Sequence, residues 1–328
     1  MGRPGAGPAL PGRPLHHRAG AARRPLRHRP AKGPLVTPRP TSRVGVVIIT
    51  RNRWHSLART LDRLAGLPER PPVVVVDNGS SDGTPEAVRT HHPAVHVLTA
   101  GRNLGAVGRT YGAAALTTPY VAFSDDDSWW EPGALARAAD LFDHHPRLGL
   151  AAASTLIGPA GARDPLNAAL AASPLGREAD LPGPSVLGFL ACASVVRRTA
   201  FLAVGGFHPV LHFGGEESLL AMDLEAGGWG VAYCPELIAR HQPDGPDGTA
   251  RPGRTVRVRR NAVLAAWLRR PYRHALTHTV RLALDGLDDP DARRALSETA
   301  RRLPAALARR RRLPPRVERR LQVLEARP

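Results

Sequence analysis

The stretch Tyr120-Val121-Ala122-Phe123-Ser124-Asp125-Asp126-Asp127 decides how the rest of the chain is read. A short, largely apolar run passes straight into three consecutive aspartates, so a strand delivers carboxylates to its own carboxyl end. Three anions packed there repel one another unless a cation sits between them, and hard divalent ions favour such oxygen ligands. Capping a helix would need only one of them. A divalent-metal site is therefore expected at the end of this strand.

Working outward, short apolar runs alternate with helical patterns on the amino-terminal side. Strands are expected over Val44–Thr50, Val73–Asp77 and Val95–Thr99, and helices over Trp54–Ala65, Thr84–His91 and Leu104–Leu116. Thr84 before Pro85 is a helix start, because a proline in the first turn loses no hydrogen bond. The order is that of βαβ units in an α/β fold with a mostly parallel, Rossmann-like sheet, whose ligands bind at the carboxyl ends of the strands. Beyond the aspartates we expect helix Pro132–His145, strand Gly149–Ile157, a buried strand Val186–Val196, helix Glu216–Gly227 and a last strand Val231–Cys234. The Pro/Gly/Ala-rich stretch Gly158–Pro184 reads as a mobile loop over the site.

Charge separates three regions. Residues 1–43 carry ten Lys or Arg and no acid, residues 44–250 carry 15 against 21, and residues 251–328 carry 21 against seven. The expected organisation is a disordered basic Pro/Arg-rich segment at 1–42, an α/β domain at 43–250 and a separate basic helical extension at 251–328. In that extension, helix Val256–Arg269 mixes Val263, Leu264, Trp267 and Leu268 with Arg257, Arg259, Arg260, Arg269 and the following Arg270. Such a helix either lies on an anionic membrane surface or packs its apolar side on the domain. Cys192 and Cys234 are too few for a disulfide framework or a four-cysteine zinc site. A reduced, cytoplasmic setting is expected, with peripheral contact at the inner face of the membrane, because no apolar run approaches the roughly 18–20 residues of a membrane span. The amino-terminal segment lacks the hydrophobic centre of a secretory signal.

Two further clusters stand at predicted strand ends: Thr50-Arg51-Asn52-Arg53, and Asp77-Asn78-Gly79-Ser80-Ser81-Asp82-Gly83. An Asp closing a buried strand can accept hydrogen bonds from a pyrimidine N–H or a ribose hydroxyl, although the same residues also make a plain turn. With Asn103-Leu104-Gly105, Arg109 and Ser124–Asp127, they stand in the order and spacing of a known family. Over roughly residues 44–242 the chain resembles a family 2 glycosyltransferase of the GT-A fold.

The resemblance implies inverting transfer from a nucleotide-sugar donor to an acceptor that is a carbohydrate, a lipid-linked sugar or a small molecule, in envelope, polysaccharide, glycolipid or secondary-metabolite assembly. Donor contacts fall to Thr50, Arg51, Asn52, Asp77, Asn78, Gly79, Asn103, Gly105, Arg109, Asp125 and Asp126. The Mn2+ or Mg2+ ion falls to Asp127, with Asp125 and His241 completing its site. In Phe213-Gly214-Gly215-Glu216-Glu217 the second acid takes the place of the general base, usually Asp in the family. Glu216 remains an alternative, because either carboxylate can accept a proton. Trp129 and Trp130 could stack on a sugar or anchor the loop in the core, and Gly215 and Glu216 border the acceptor.

Two rival functions fit less well. A sugar nucleotidyltransferase would need a Gly-rich basic loop after the first strand to hold a triphosphate. A protein binding nucleic acid through its basic ends would interleave aromatics with Arg309–Arg312, and no aromatic lies near that run. Specific nucleic-acid binding is not expected.

Overall fold

The structure is a computed structural model that describes residues 42–243 and 253–326. The segment expected to be disordered, 1–42, lies outside the described residues apart from Ser42. In chain order the elements are β1 (Val44–Thr50), α1 (Trp54–Ala65), β2 (Val73–Asp77), α2 (Thr84–His91), β3 (His96–Thr99), α3 (Val107–Ala115) and β4 (Tyr120–Asp125). Next come β5 (Ser128–Trp130), α4 (Ala134–His144), β6 (Leu148–Ile157), β7 (Ala162–Arg163), α5 (Pro165–Ala171), β8 (Ser194–Arg197) and α6 (Arg198–Ala203). The chain continues through α7 (Glu216–Ala226), β9 (Gly230–His241), α8 (Arg254–Arg269), α9 (Tyr272–Asp285), α10 (Pro290–Leu307) and α11 (Pro315–Glu325).

The strands form one sheet in the order β3-β2-β1-β4-β8-β6-β9-β5, with β7 paired to β6. β1 is buried along its whole length, as a parallel strand covered on both faces must be. One face packs on α1 and α4 through Leu57, Leu61, Leu135 and Phe142. The other packs on α3, α6 and α7 through Ala113, Phe201, Leu220 and Leu224. Gly112 lets α3 approach β1, since a Cβ there would lie 2.4 Å from Val47 Cγ1. The chain leaves β1 for β2 and β3 on one side and returns to β4 on the other. That reversal opens the crevice where α/β sheets bind ligands. Thr50 pairs with Asp77, and Ile49 pairs with Asp125, so the predicted clusters share one edge.

Several sequence expectations need correction. The segment Gly158–Pro184 is built rather than bare loop. It holds β7 and α5, the latter capped by Asp164, whose carboxylate accepts from Leu166 N at 2.8 Å. Buried Asn167 bridges both backbone groups of Thr155, and Arg147 ties down Glu178 and Asp180. The expected strand Val186–Val196 shrinks to β8, preceded by a 3-10 turn at Ala191–Ala193, because only Ser194–Arg197 can pair between β4 and β6. β9 runs past Cys234 to His241. A bulge between Ala153 and Ser154 absorbs Pro235, which has no N–H for the ladder, and pairing resumes at Ile238.

The helical extension is part of the same compact unit as the sheet domain. On α8, Leu264 and Leu268 pack against Val210, Leu211 and Leu219 of the domain. Arg269, 1% exposed, pairs with Asp223 of α7 at 2.9 Å, and Asn261 donates to the carbonyls of Leu211, Phe213 and Gly214. The apolar side of this helix is consumed by packing, so α8 is not the membrane-facing element its sequence allows. No helix among the described residues is long and apolar enough to cross a membrane.

Candidate active site

The loops after β1, β2 and β3 are stitched together by the side chains expected to meet the donor. Asp77 is 1% exposed, and its carboxylate accepts from the backbone N–H groups of Gly79 and Ser80 at 3.1 Å. The turn and the candidate base contact therefore coexist in one residue. Asn52, held at a φ of 53°, donates its N–H to Ser80 Oγ and accepts from Ser81 N. Asn78 accepts from Leu104 N at 3.2 Å and donates to Gly105 O at 3.3 Å. Asn103 Oδ1 accepts from Gly105 N. Gly105 has a φ of 62°, and a Cβ would fall 2.6 Å from His212 O, so glycine is required where this loop meets the next wall of the site. Arg51 projects to solvent beside the loops, while Thr50 is buried.

The three aspartates have three different environments. Asp126 is turned inward, accepting from Thr50 Oγ1 at 3.0 Å and Arg53 Nε at 2.7 Å, while its carbonyl accepts from Thr60 at 2.9 Å. Burial pushes its carboxyl up to about 7, against the pull of Arg53. It anchors the β4 turn to β1 and α1, and its oxygens are not turned to a donor as the sequence had suggested. Asp125 pairs with the buried guanidinium of Arg109. Asp127 takes one bond from Arg53 Nη2 at 2.9 Å, and its other oxygen, Oδ1, is buried without a hydrogen bond. Arg53 and Arg109 thus supply the counter-charge that the sequence had assigned to a divalent ion alone.

A metal still fits at one point. Antiparallel pairing sets Ser128 opposite His241, which brings His241 Nε2 to 3.3 Å from the orphaned Asp127 Oδ1. Burial lowers the imidazole and Asp127 raises it, with a net upward shift. A buried carboxylate oxygen whose polar neighbour is an imidazole would suit Mn2+ or Mg2+. No group of three or more His, Cys, Asp or Glu side chains converges among the described residues, and Asp125 is turned to Arg109. Of the three expected ligands, the structure brings Asp127 and His241 together and turns Asp125 to Arg109.

Arg109 links the two halves of the site. It is 2% exposed, lies over Phe207 at 5.5 Å, and has Nε and Nη1 buried without partners. Burial lowers its pKa, but Asp125, then Glu216 and Glu217, drive it upward on balance. Glu216 and Glu217 open α7 after Gly215, which has a φ of 81°. Glu216 is buried with Oε2 unpartnered, and burial followed by the Glu217 charge pushes it up to about 8. Glu217 keeps part of its surface at solvent, and burial raises it as well. Trp130 is fully buried in the core and offers no ring to a sugar, whereas Trp129 is half-buried with Arg63 over it at 5.7 Å. The sequence-derived site set lacked Arg53, although it stood in the quoted Thr50–Arg53 cluster. It also lacked Thr60 and Arg254, whose charge pulls against the upward shift of Glu217, and for neither did a motif give a signal.

Comparison with known proteins accords with this geometry. Residues 45–205 match the model of glycosyl transferase family 2. The chain is 29% identical over 234 residues to an N-acetylglucosaminyl-diphospho-decaprenol L-rhamnosyltransferase of Mycobacterium tuberculosis, covering 60% of this chain and 75% of the relative. It is 33% identical over 211 residues to a pre-mycofactocin glycosyltransferase of the same organism, covering 60% of this chain and 42% of that relative. A mannosyltransferase of Pyrobaculum calidifontis, solved with GDP-Man and Mn2+, superposes with a TM-score of 0.53 at 22% identity, covering 90% of this chain and 80% of that one. The crevice at the β1–β4 switch, the carboxylates along its edge and these likenesses agree, and residues 45–205 are a glycosyl transferase family 2 region on a GT-A fold.

Proposed function

We propose that this glycosyltransferase moves a sugar, with inversion, from a nucleotide diphosphate sugar to a hydroxyl of a lipid-diphosphate-linked acceptor in envelope assembly. The observation that carries the proposal is the buried guanidinium of Arg109, which faces Asp125 on the donor side and Glu216 and Glu217 at the start of α7. The rhamnosyltransferase relative supports the acceptor class, since its name specifies a diphospho-decaprenol-linked sugar.

In this mechanism Asp77, Asn78 and the Asn103–Gly105 loop bind the nucleoside. Asp127 and His241 would hold Mn2+ or Mg2+, which when bound would supply positive charge to offset that of the diphosphate. Glu217, the more exposed acid of the pair, takes the proton from the acceptor hydroxyl as that oxygen attacks the anomeric carbon. Glu216 and Arg109 stay buried and set the field around it. Glu217→Gln is expected to keep donor affinity and lower the transfer rate by about 10²–10⁴-fold. Full transfer by this variant, with loss in Glu216→Gln instead, would exchange the two roles.

The membrane-peripheral setting moves from α8 to α9. Tyr272, Leu276, Val280 and Leu284 on its outer side, with Leu287 just beyond its end, are 52–73% exposed, and they make up most of the exposed large apolar side chains among the described residues. Arg273 lies on the same face, and the Arg309–Arg312 loop crosses the α8–α9 corner, where Arg310 stacks over Tyr272 at 4.1 Å. An apolar stripe bordered by cations matches an anionic lipid surface.

A further inference from the structure

The C-terminal helices close a second cleft beside the start of α7. His212, Arg257 and Arg260 form one side and Arg294, Glu298 and Arg302 of α10 the other, around a cavity of about 360 Å3. Arg260, Arg294 and Arg302 thus share one carboxylate, Glu298, among the described residues. Arg260 takes that carboxylate for itself, and its Nη2 donates to Leu211 O at 2.9 Å. Arg302 donates one N–H to Val210 O at 2.9 Å. Neither Arg294 nor Arg302 meets an acid among the described residues. The pKa of Arg302 is held below its usual value by burial and then by the charge of Arg260, with Glu298 opposing only in part. Solvation accounts for exposed Arg294, but not for two half-buried or buried arginines crowding one another. A cation cluster of this kind is relieved when an anion enters.

The cleft shares a wall with the active site. His212 O accepts from Ala106 N at 2.9 Å, next to the Asn103–Gly105 loop. Asn261 of α8 fixes the carbonyls of Phe213 and Gly214, just ahead of Glu216. Arg254, one turn before Arg257, pulls against the upward shift of Glu217. Whatever the cleft holds therefore lies behind the His212–Gly215 segment that leads into Glu216 and Glu217.

We propose that this cleft binds the diphosphate of the acceptor, with Arg294 and Arg302 as its principal ligands. The proposal rests on the lipid-diphosphate acceptor inferred above. Guanidinium forks match phosphate oxygens bidentately, and the cavity falls within the size range of small-ligand sites.

Titration calorimetry of the full chain with inorganic pyrophosphate, in excess EDTA to silence metal-bridged binding, tests the cleft itself. Arg294→Gln and Arg294→Glu should weaken binding on the order of tenfold or more, while Asp127→Asn leaves it unchanged. No binding by the wild type, or loss in Asp127→Asn with Arg294 variants unaffected, overturns the site. Steady-state kinetics then test its role. With a diphosphate-linked acceptor, Arg294→Gln should raise the acceptor KM on the order of tenfold at unchanged kcat and donor KM. With an alkyl glycoside of the same sugar, the KM should not move. Equal effects on both acceptors overturn the assignment. If diphosphate-linked acceptors are not used but Arg294-dependent pyrophosphate binding persists, the acceptor reading fails and the anion site stands. Sedimentation with phosphatidylglycerol vesicles should be unaffected by Arg294→Gln, and its loss would give the cleft to lipid head groups instead.

Discussion

The donor side and the α7 side of the crevice are built in opposite ways. Around β1, β2 and β3, Asn52 and Asn78 each hold a neighbouring loop through a hydrogen bond, while Asp77 and Asn103 accept from backbone N–H groups of their own loops. Beside α7, Glu216 Oε2 and two nitrogens of Arg109 are buried with no partner. The first region is a scaffold that satisfies itself before any ligand arrives. The second holds uncompensated groups, costly in folding terms, whose partners are the reacting molecules or charges acting through space. On the function proposed above, the nucleotide side is preorganised and the α7 side leaves buried polar groups to be met by the reacting molecules.

The most severe way to break this contrast is to remove the cation between the halves. Arg109→Met leaves Asp125, Glu216 and Glu217 facing one another without it, and should cost about 3–5 kcal/mol in stability as well as activity. Urea unfolding midpoints report the first, and Glu216→Gln added to Arg109→Met should recover part of the loss. A midpoint equal to wild type would show that the three acids do not depend on Arg109.

Asp126 and Asp127 sharpen the comparison from within a single motif. Asp126→Ala strips a buried anchor from Thr50 and Arg53 and is expected to destabilise by about 2–4 kcal/mol. Asp127→Asn should leave the unfolding midpoint nearly unchanged while abolishing Mn2+-dependent nucleotide affinity in calorimetry. If the two variants behave alike in both measurements, the division between anchor and ligand is wrong.

A smaller effect is expected from pH. Glu216, raised to about 8, binds a proton in the folded state over a range where the unfolded carboxyl, near 4.5, has already lost it. Folded stability is then fully present below pH 4.5, falls as pH rises between those values, and levels off above 8. Glu216→Gln should flatten that decline in thermal unfolding between pH 5 and 8. A parallel decline in the variant would assign it to other groups. The direction for Glu217 is the same, so transfer should rise with pH as its carboxyl ionises.

The smallest expected change in stability comes from the α9 face. Leu276→Asp with Leu284→Asp should shift stability by only about 0.5 kcal/mol, since both side chains are more than half exposed. Sedimentation with phosphatidylglycerol vesicles should nevertheless fall sharply, while neutral vesicles bind neither protein. Undiminished binding to acidic vesicles would remove α9 as the lipid-facing element, and a loss of dimers in its place would assign the face to a second copy.

The sequence alone determined the alternating core of the fold. Apolar runs of strand length at Val44–Thr50, Val73–Asp77 and Tyr120–Ser124, each closed by polar residues, fix both the sheet and the end that binds ligands, because burial and turn chemistry are local. The clusters at Thr50, Asp77 and Asp125 were legible for the same reason, while Asn103 and Glu216 stood out through the resemblance to the family. What only tertiary structure decided is how neighbouring charges are shared. Adjacent aspartates look alike in sequence, yet Arg53 and Thr50 turn Asp126 inward, Arg109 takes Asp125, and a strand pairing brings His241 to Asp127 across more than a hundred residues. The apolar residues of α8 and α9 are likewise similar in composition. Packing on Val210, Leu211 and Leu219 buries α8 and leaves the outer side of α9 uncovered. Periodicity says that a helix has an apolar side; the distant surface that competes with solvent for that side is a property of the folded chain.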